Sequence, residues 1–292
     1  MADYGAQFEP QEPFEPIQAD LQALAQPAKD APPSIAPPGP PPLGPVIAFD
    51  NVSISFDGRP VLQNVSFSVE RGETLCILGR SGVGKSVSLR LLMGFLKPDS
   101  GSISVEAQEV THLDEEGLQS IRKRVTMVFQ NGALFDSLSV RENVAFPLRE
   151  RGGIEEDALN LIVDRLIALV GAEDVVDALP ASLSTGRKRA VAMARALAAQ
   201  PEIVLYDEPT TMVDPIIARR LGNLIQRLKR QLGFTSVVVT HDTRFAQKLA
   251  DKVLFLDRGK ASFFGPTKEF LTTPEPDIRL FLDLDTYRVP SE

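Results

Sequence analysis

Tryptophan is absent from this 292-residue chain, and cysteine occurs once, as Cys76. One cysteine excludes an internal disulfide and suits a reducing compartment. It lies in the apolar run Thr74-Leu75-Cys76-Ile77-Leu78, where a small buried core residue is expected. Long apolar runs are missing as well: nothing approaches the roughly 20 residues of a membrane-spanning helix. The start lacks the basic-then-apolar pattern of a secretory signal. The chain is therefore expected to be soluble and cytoplasmic, so that any membrane path must come from another chain. Basic charge is also short, with 31 Lys and Arg against 39 Asp and Glu, a net charge of −8. A nucleic-acid binder with a basic face is thereby excluded.

What is present divides the chain. Residues 1–45 hold 12 of the 23 prolines, and six acids there face one base, Lys29. That composition cannot offset the entropy of ordering, and its proline runs favour extended polyproline II. It reads as a disordered tail or as a partner-docking arm. From Val46 the pattern turns β-rich: 46–56 and 61–69 alternate apolar and polar residues around a turn at Asp57-Gly58-Arg59-Pro60. An apolar strand over 74–78 then runs into a glycine-rich loop and a helix from about Lys85. Residues 139–200 read mostly helical, with apolar residues at three- and four-residue spacing over 154–170. Strands over 203–206 and 235–240 flank a helix over 215–232. Strands alternating with helices predict an α/β fold with a parallel sheet covered on both faces.

Gly79-Arg80-Ser81-Gly82-Val83-Gly84-Lys85-Ser86 fits the phosphate-binding pattern G-x-x-x-x-G-K-[ST] and sits between the apolar strand and the helix. Its glycines let the backbone approach phosphates, whose charge the amides and the helix N-terminus favour. Lys85 would place its charge on the β- and γ-phosphates, and the Ser86 hydroxyl could ligate Mg²⁺. A carboxylate source is expected at the end of another buried strand, and Ile203-Val204-Leu205-Tyr206-Asp207-Glu208 supplies it. Asp207 would serve the metal and Glu208 would orient or deprotonate an attacking water.

Over residues 46 to about 272 these elements resemble the ABC ATPase family, a P-loop NTPase fold with a parallel-sheet core, an N-terminal antiparallel β subdomain and an α-helical subdomain. Several family elements stand in order. Gln130 in Val128-Phe129-Gln130 matches the glutamine that contacts Mg²⁺ and water and senses the permease; Asp214 matches the aspartate of the loop after the carboxylates. His241 in Val239-Thr240-His241-Asp242 matches the switch histidine at the γ-phosphate. Phe56 takes the place of the aromatic that stacks on adenine, or is a core aromatic. His112 has no such context. The resemblance implies domains at 1–45 (arm), 46–272 (ATPase, its helical subdomain about 131–190) and 273–292 (tail). It implies ATP and Mg²⁺ as cofactors, with Lys85, Gln130, Glu208 and His241 catalytic and Ser86, Gln130 and Asp207 on the metal. It further implies a homodimer with an integral membrane permease, on the cytoplasmic face of the inner membrane.

The family signature Leu-Ser-Gly-Gly-Gln is altered here to Leu183-Ser184-Thr185-Gly186-Arg187. In the family it binds the γ-phosphate held by the other subunit, and Ser184 and Gly186 keep that capacity. Thr185 brings a Cβ where glycine allows close approach or positive φ. Arg187 adds positive charge at a positive helix end. Met212 replaces a customary glycine. These departures raise the alternative of a hydrolysis-impaired, regulatory ATP-binding subunit. Finally, residues 132–148, with Gly84-Lys85-Ser86-Val87, Asp214-Pro215-Ile216 and 233–242, resemble the ATPases of Mla/Mce-type systems. That resemblance implies phospholipid or other lipid transport and a Mce-type substrate-binding partner; another transporter class is the alternative.

Overall fold

The computed structural model describes residues 44–286. The expected acidic arm, apart from Gly44 and Pro45, lies outside the described residues. Alternating burial shapes the first hairpin: β1 (Ile47–Phe56) pairs antiparallel with β2 (Arg59–Val69), from Ile47 opposite Val69 to Phe56 opposite Arg59. The turn is only Asp57-Gly58, both at positive φ (50° and 73°), the handedness a tight hairpin requires. Arg59 and Pro60, expected in the turn, pair into β2 instead. β4 (Ser100–Val105) and β5 (Gln108–Glu109) complete a four-stranded sheet in the order β2-β1-β4-β5.

The second sheet has six strands, in the order β10-β9-β3-β8-β7-β6. They are β3 (Thr74–Leu78), β6 (Val125–Val128), β7 (Ile203–Asp207), β8 (Thr235–Val239), β9 (Lys252–Asp257) and β10 (Lys260–Pro266). All neighbours run parallel except the edge pair β9–β10. β3 and β8 are buried at every position, which is why neither shows the alternation of a half-exposed strand. The register decides the position of the site. Ile77 lies opposite Val239, and Val239 opposite Asp207. The loops opening at Gly79, Glu208 and Thr240 therefore leave the sheet side by side, at the carboxyl edge where such sheets bind ligands.

Helices cover the sheets: α1 (Lys85–Leu92), α2 (Glu115–Arg122), α3 (Val140–Arg151), α4 (Glu156–Val170), α5 (Thr185–Ala198), α6 (Pro215–Leu232), α7 (Thr243–Leu249), α8 (Thr267–Thr272) and α9 (Pro276–Thr286). α3 opens with a capping box, Ser139 receiving Glu142 N while the Glu142 carboxylate receives Ser139 N. α6 has Pro215 in its first turn and ends at Gly233, φ 67°. α3, α4 and α5 pack on one another, and α5 also meets β6, so residue 190 falls inside a helix that continues to Ala198. Among the described residues no helix is long and apolar enough to cross a membrane.

Candidate active site

Gly79 to Ser86 leaves β3 with the backbone folded against its neighbours. A Cβ on Gly79 would lie 2.4 Å from Leu256 O, and one on Gly84, at φ 103°, would lie 2.6 Å from Leu62 Cδ2. Only glycine meets both demands. Arg80, Ser81, Gly82, Gly84, Lys85 and Ser86 line a cleft of about 740 Å³, while half-buried Val83 packs against the core. Lys85 is 5% exposed, and its Nζ donates to Gly79 O (3.0 Å) and Arg80 O (3.1 Å). The same ammonium lies 3.4 Å from Glu208 Oε1.

The carboxylates differ in setting. Asp207 accepts a hydrogen bond from Ser86 Oγ at 2.7 Å. Burial pushes its carboxyl above the usual range and the adjacent Glu208 adds to this, with the Ser86 hydroxyl opposing. Burial would also raise Glu208, but bonds from His241 and Thr211, with the nearby Lys85 charge, hold it below its ordinary value. Thr211 Oγ1 donates to Glu208 Oε2 at 2.7 Å, and His241 Nδ1 lies 3.0 Å from the same oxygen. The Glu208 bond raises the His241 imidazole, against the lowering effect of its burial. Both Glu208 and His241 line the cleft, as does exposed Gln130.

The donor set suits a hard divalent cation. Ser86 Oγ and Asp207 Oδ1 lie 2.7 Å apart and are oxygen donors of the type Mg²⁺ prefers, with Asp207 expected in its outer shell. Among the described residues no cluster of three or more His, Cys, Asp or Glu could hold a metal. Ser86, Asp207 and Gln130 are the residues that would hold Mg²⁺.

Phe56 is 42% exposed and lines the same cleft, so it is not a core aromatic. The tail set apart at 273–292 contains α9, whose Phe281 and Leu284 also line the cleft. Phe281 packs 5.0 Å from the Phe255 ring. Ile278, Phe281 and Leu284, three residues apart, were the signal available for this amphipathic helix.

Ser184, Gly186 and Asp214 are not brought into the cleft. Ser184 caps α5 by accepting Arg187 N at 3.3 Å, and Asp214 caps α6 by accepting Ile216 N and Ile217 N at 2.9 and 3.0 Å. The feared strain at Thr185 does not arise: it opens α5 with helical backbone and is not among the non-glycine residues at positive φ. Arg187 forms an ion pair with Asp174, whose carboxyl it holds low, so its charge at the helix start is countered. Gly186 is required by packing, because a Cβ there would lie 2.5 Å from Ile217 Cγ2. Positive φ falls instead at Met212 (61°), which is 85% exposed. Arg189 was not anticipated. It is 3% exposed, and its guanidinium donates to Gln130 O (2.9 Å), Pro209 O (2.7 Å) and Thr211 O.

Comparison with known proteins gives the family and the fold. A family profile described as ABC transporter matches residues 62–211. The methionine import ATP-binding protein MetN of Brucella abortus (strain 2308) is 36% identical over 248 residues, 85% of this chain and 67% of its own length. MetN 2 of Paraburkholderia xenovorans (strain LB400) is 39% identical over 238 residues, 80% and 61% respectively. This chain thus spans about two thirds of such relatives. Their name is methionine import, not the lipid transport that residues 132–148 suggested. Among solved structures, cbiO1 from Clostridium perfringens, part of the ABC transporter complex cbiONQ, has a TM-score of 0.73 at 28% identity, over 83% of this chain and 96% of that one. The ATP-binding cassette MJ0796, a dimer in a post-hydrolysis state bound to ADP and Pi, has a TM-score of 0.70 at 29% identity, over 76% and 98%.

Proposed function

We infer that this chain, which belongs to the ABC transporter family, is the ATP-binding and ATP-hydrolysing subunit of a bacterial transporter. The observation carrying this reading is the convergence of Lys85, Ser86 and the Glu208–His241 pair on one cleft, with Asp207 bonded to Ser86. Gly79 to Ser86 would cradle the phosphates, Phe56 would face the base, and Mg²⁺ would neutralise phosphate charge. Glu208, whose carboxyl is held below its ordinary value, would accept a proton from water. The unstrained backbone at Thr185 and the pairing of Arg187 with Asp174 support a hydrolysing subunit over a hydrolysis-impaired one. The test is phosphate release by the assembled transporter against a Glu208→Gln version, with nucleotide binding measured for Lys85→Ala. Equal rates in the first, or unchanged binding in the second, would sink the reading.

Ser184 and Gly186 stand outside the cleft, which supports a two-chain site in which a second copy brings its α5 N-terminus to the phosphates. A permease surface is supported by half-exposed Phe129, Phe135 and Phe146, with the last two rings 4.6 Å apart. The subunit would then sit on the cytoplasmic face of the inner membrane. For the cargo, the resemblance of 132–148 supports lipid with a Mce-type partner, whereas the relatives' printed names support methionine with a methionine-binding protein. Reconstituted complex in phospholipid vesicles separates these: methionine uptake supports the second reading, and lipid transfer between vesicles the first.

A further inference from the structure

Glu208 occupies an unusual backbone position. Its φ is +48°, a region that a side-chain-bearing residue enters at a cost, so the surrounding structure must over-determine it. Part of that support is the sheet, where Glu208 N donates to Val239 O at 2.9 Å. The carboxylate itself is held by side chains, and one of these has no role in the reading above.

We propose that Thr211 is a positioning residue for Glu208, holding its carboxylate toward the cleft while Arg189 fixes the backbone from which Thr211 reaches it. This rests on the reading of Glu208 as the group that activates water. Thr211 Oγ1 donates to Glu208 Oε2 at 2.7 Å, and Thr211 N approaches Glu208 O at 3.3 Å, closing a short turn. With His241 Nδ1 also 3.0 Å from Oε2, that oxygen is occupied, and Oε1 is left facing Lys85. Thr211 thus fixes which carboxylate oxygen is engaged and which faces the phosphate-binding lysine. Losing its hydroxyl would leave Oε2 held by His241 alone and weaken the hold on a terminal torsion that is broad for a carboxylate.

Arg189 makes this arrangement rigid. It is 3% exposed, and its described acceptors are the neutral carbonyls of Gln130, Pro209 and Thr211 rather than a carboxylate. A buried cation whose hydrogen bonds go to carbonyls is an expensive way to fill space, and its charge is favoured by the nearby Glu208 carboxylate. A planar fork with five donors is, however, well suited to spanning several backbone points. Arg189 belongs to α5, so the helix carrying Ser184 and Gly186 is fastened to the loops carrying Gln130 and Glu208. Displacement of α5 would reach Glu208 through Thr211.

The experiment is steady-state phosphate release by the assembled transporter containing Thr211→Val, Thr211→Ser, Thr211→Ala, Arg189→Lys or Glu208→Gln. Thr211→Val is expected to lower kcat about tenfold, the size of one lost bond to a charged group, with KM for ATP within about twofold. Thr211→Ser is expected to recover most of the rate. Arg189→Lys keeps the charge but loses the fork, and is expected to lower kcat while nucleotide binding persists. If Thr211→Val fails to fold, the ratio of the Ser to the Ala variant isolates the hydroxyl. Wild-type kcat in Thr211→Val, equal rates in Ser and Ala, or a loss confined to KM overturns the proposal. If Glu208→Gln also turns over normally, the water-activation reading falls and this one with it. If Glu208→Gln is dead while Thr211→Val is normal, only the positioning role is lost.

Discussion

Gly186 offers a sharp test of what the altered signature needs from its surviving glycine. In Gly186→Ala the new Cβ would sit 2.5 Å from Ile217 Cγ2, far inside van der Waals contact. Overpacking of this kind typically costs about 1–3 kcal/mol. The replacement also gains up to about 1 kcal/mol of helix propensity, because Gly186 lies in the first turn of α5. The net expectation is destabilisation by about 1–2 kcal/mol. Ile217→Ala removes the opposing methyl, and on that background the propensity gain stands alone, so Gly186→Ala becomes neutral or stabilising. The double-mutant cycle should therefore show a coupling of about 1–3 kcal/mol. Urea unfolding of the four proteins measures it, provided the m-values agree. A coupling below about 0.5 kcal/mol would refute the packing argument and return Gly186 to a purely phosphate-facing role.

Asn143 is fully buried; it shares its amide hydrogens among Phe135 O, Leu138 O and Ser139 O and accepts Phe135 N. Asn143→Ala removes the bonds to Phe135 N and Leu138 O and is expected to cost at least about 2 kcal/mol in urea unfolding, with faster proteolysis near 135–139. Thr74 Oγ1 and Ser236 Oγ are buried on facing residues of β3 and β8 and have no hydrogen-bond partner among the described residues. Thr74→Val and Ser236→Ala are accordingly expected to be neutral or stabilising; a loss of more than about 1 kcal/mol in either would reveal a missed partner. Burial pushes the Cys76 thiol strongly up. A thiol reagent should leave it unmodified in the folded protein and label it fully in denaturant, and rapid labelling of the native chain would contradict its burial.

Some of this protein could be read from the chain alone. Local signals settle short-range choices: Asp57-Gly58 makes a hairpin, Pro215 and Gly233 bracket a helix, and glycines with Lys85 and Ser86 make a phosphate loop. The apolar run at 74–78 and the short buried-type strand over 235–240 announced strands buried on both faces. The apolar run Val253-Leu254-Phe255-Leu256 was the signal available for β9, whereas two-residue β5 and four-residue β6 carry too little periodicity to separate from loop. Only the tertiary structure put Ile77, Asp207 and Val239 in one row, because register depends on pairing across distant sequence. It likewise showed that Arg187 is answered by Asp174, that Gly186 answers Ile217, and that the left-handed residue is Met212 rather than Thr185. Composition and motif determined which chemistry is possible; the sheet's register and the packing of α5 and α9 decided which side chains meet to perform it.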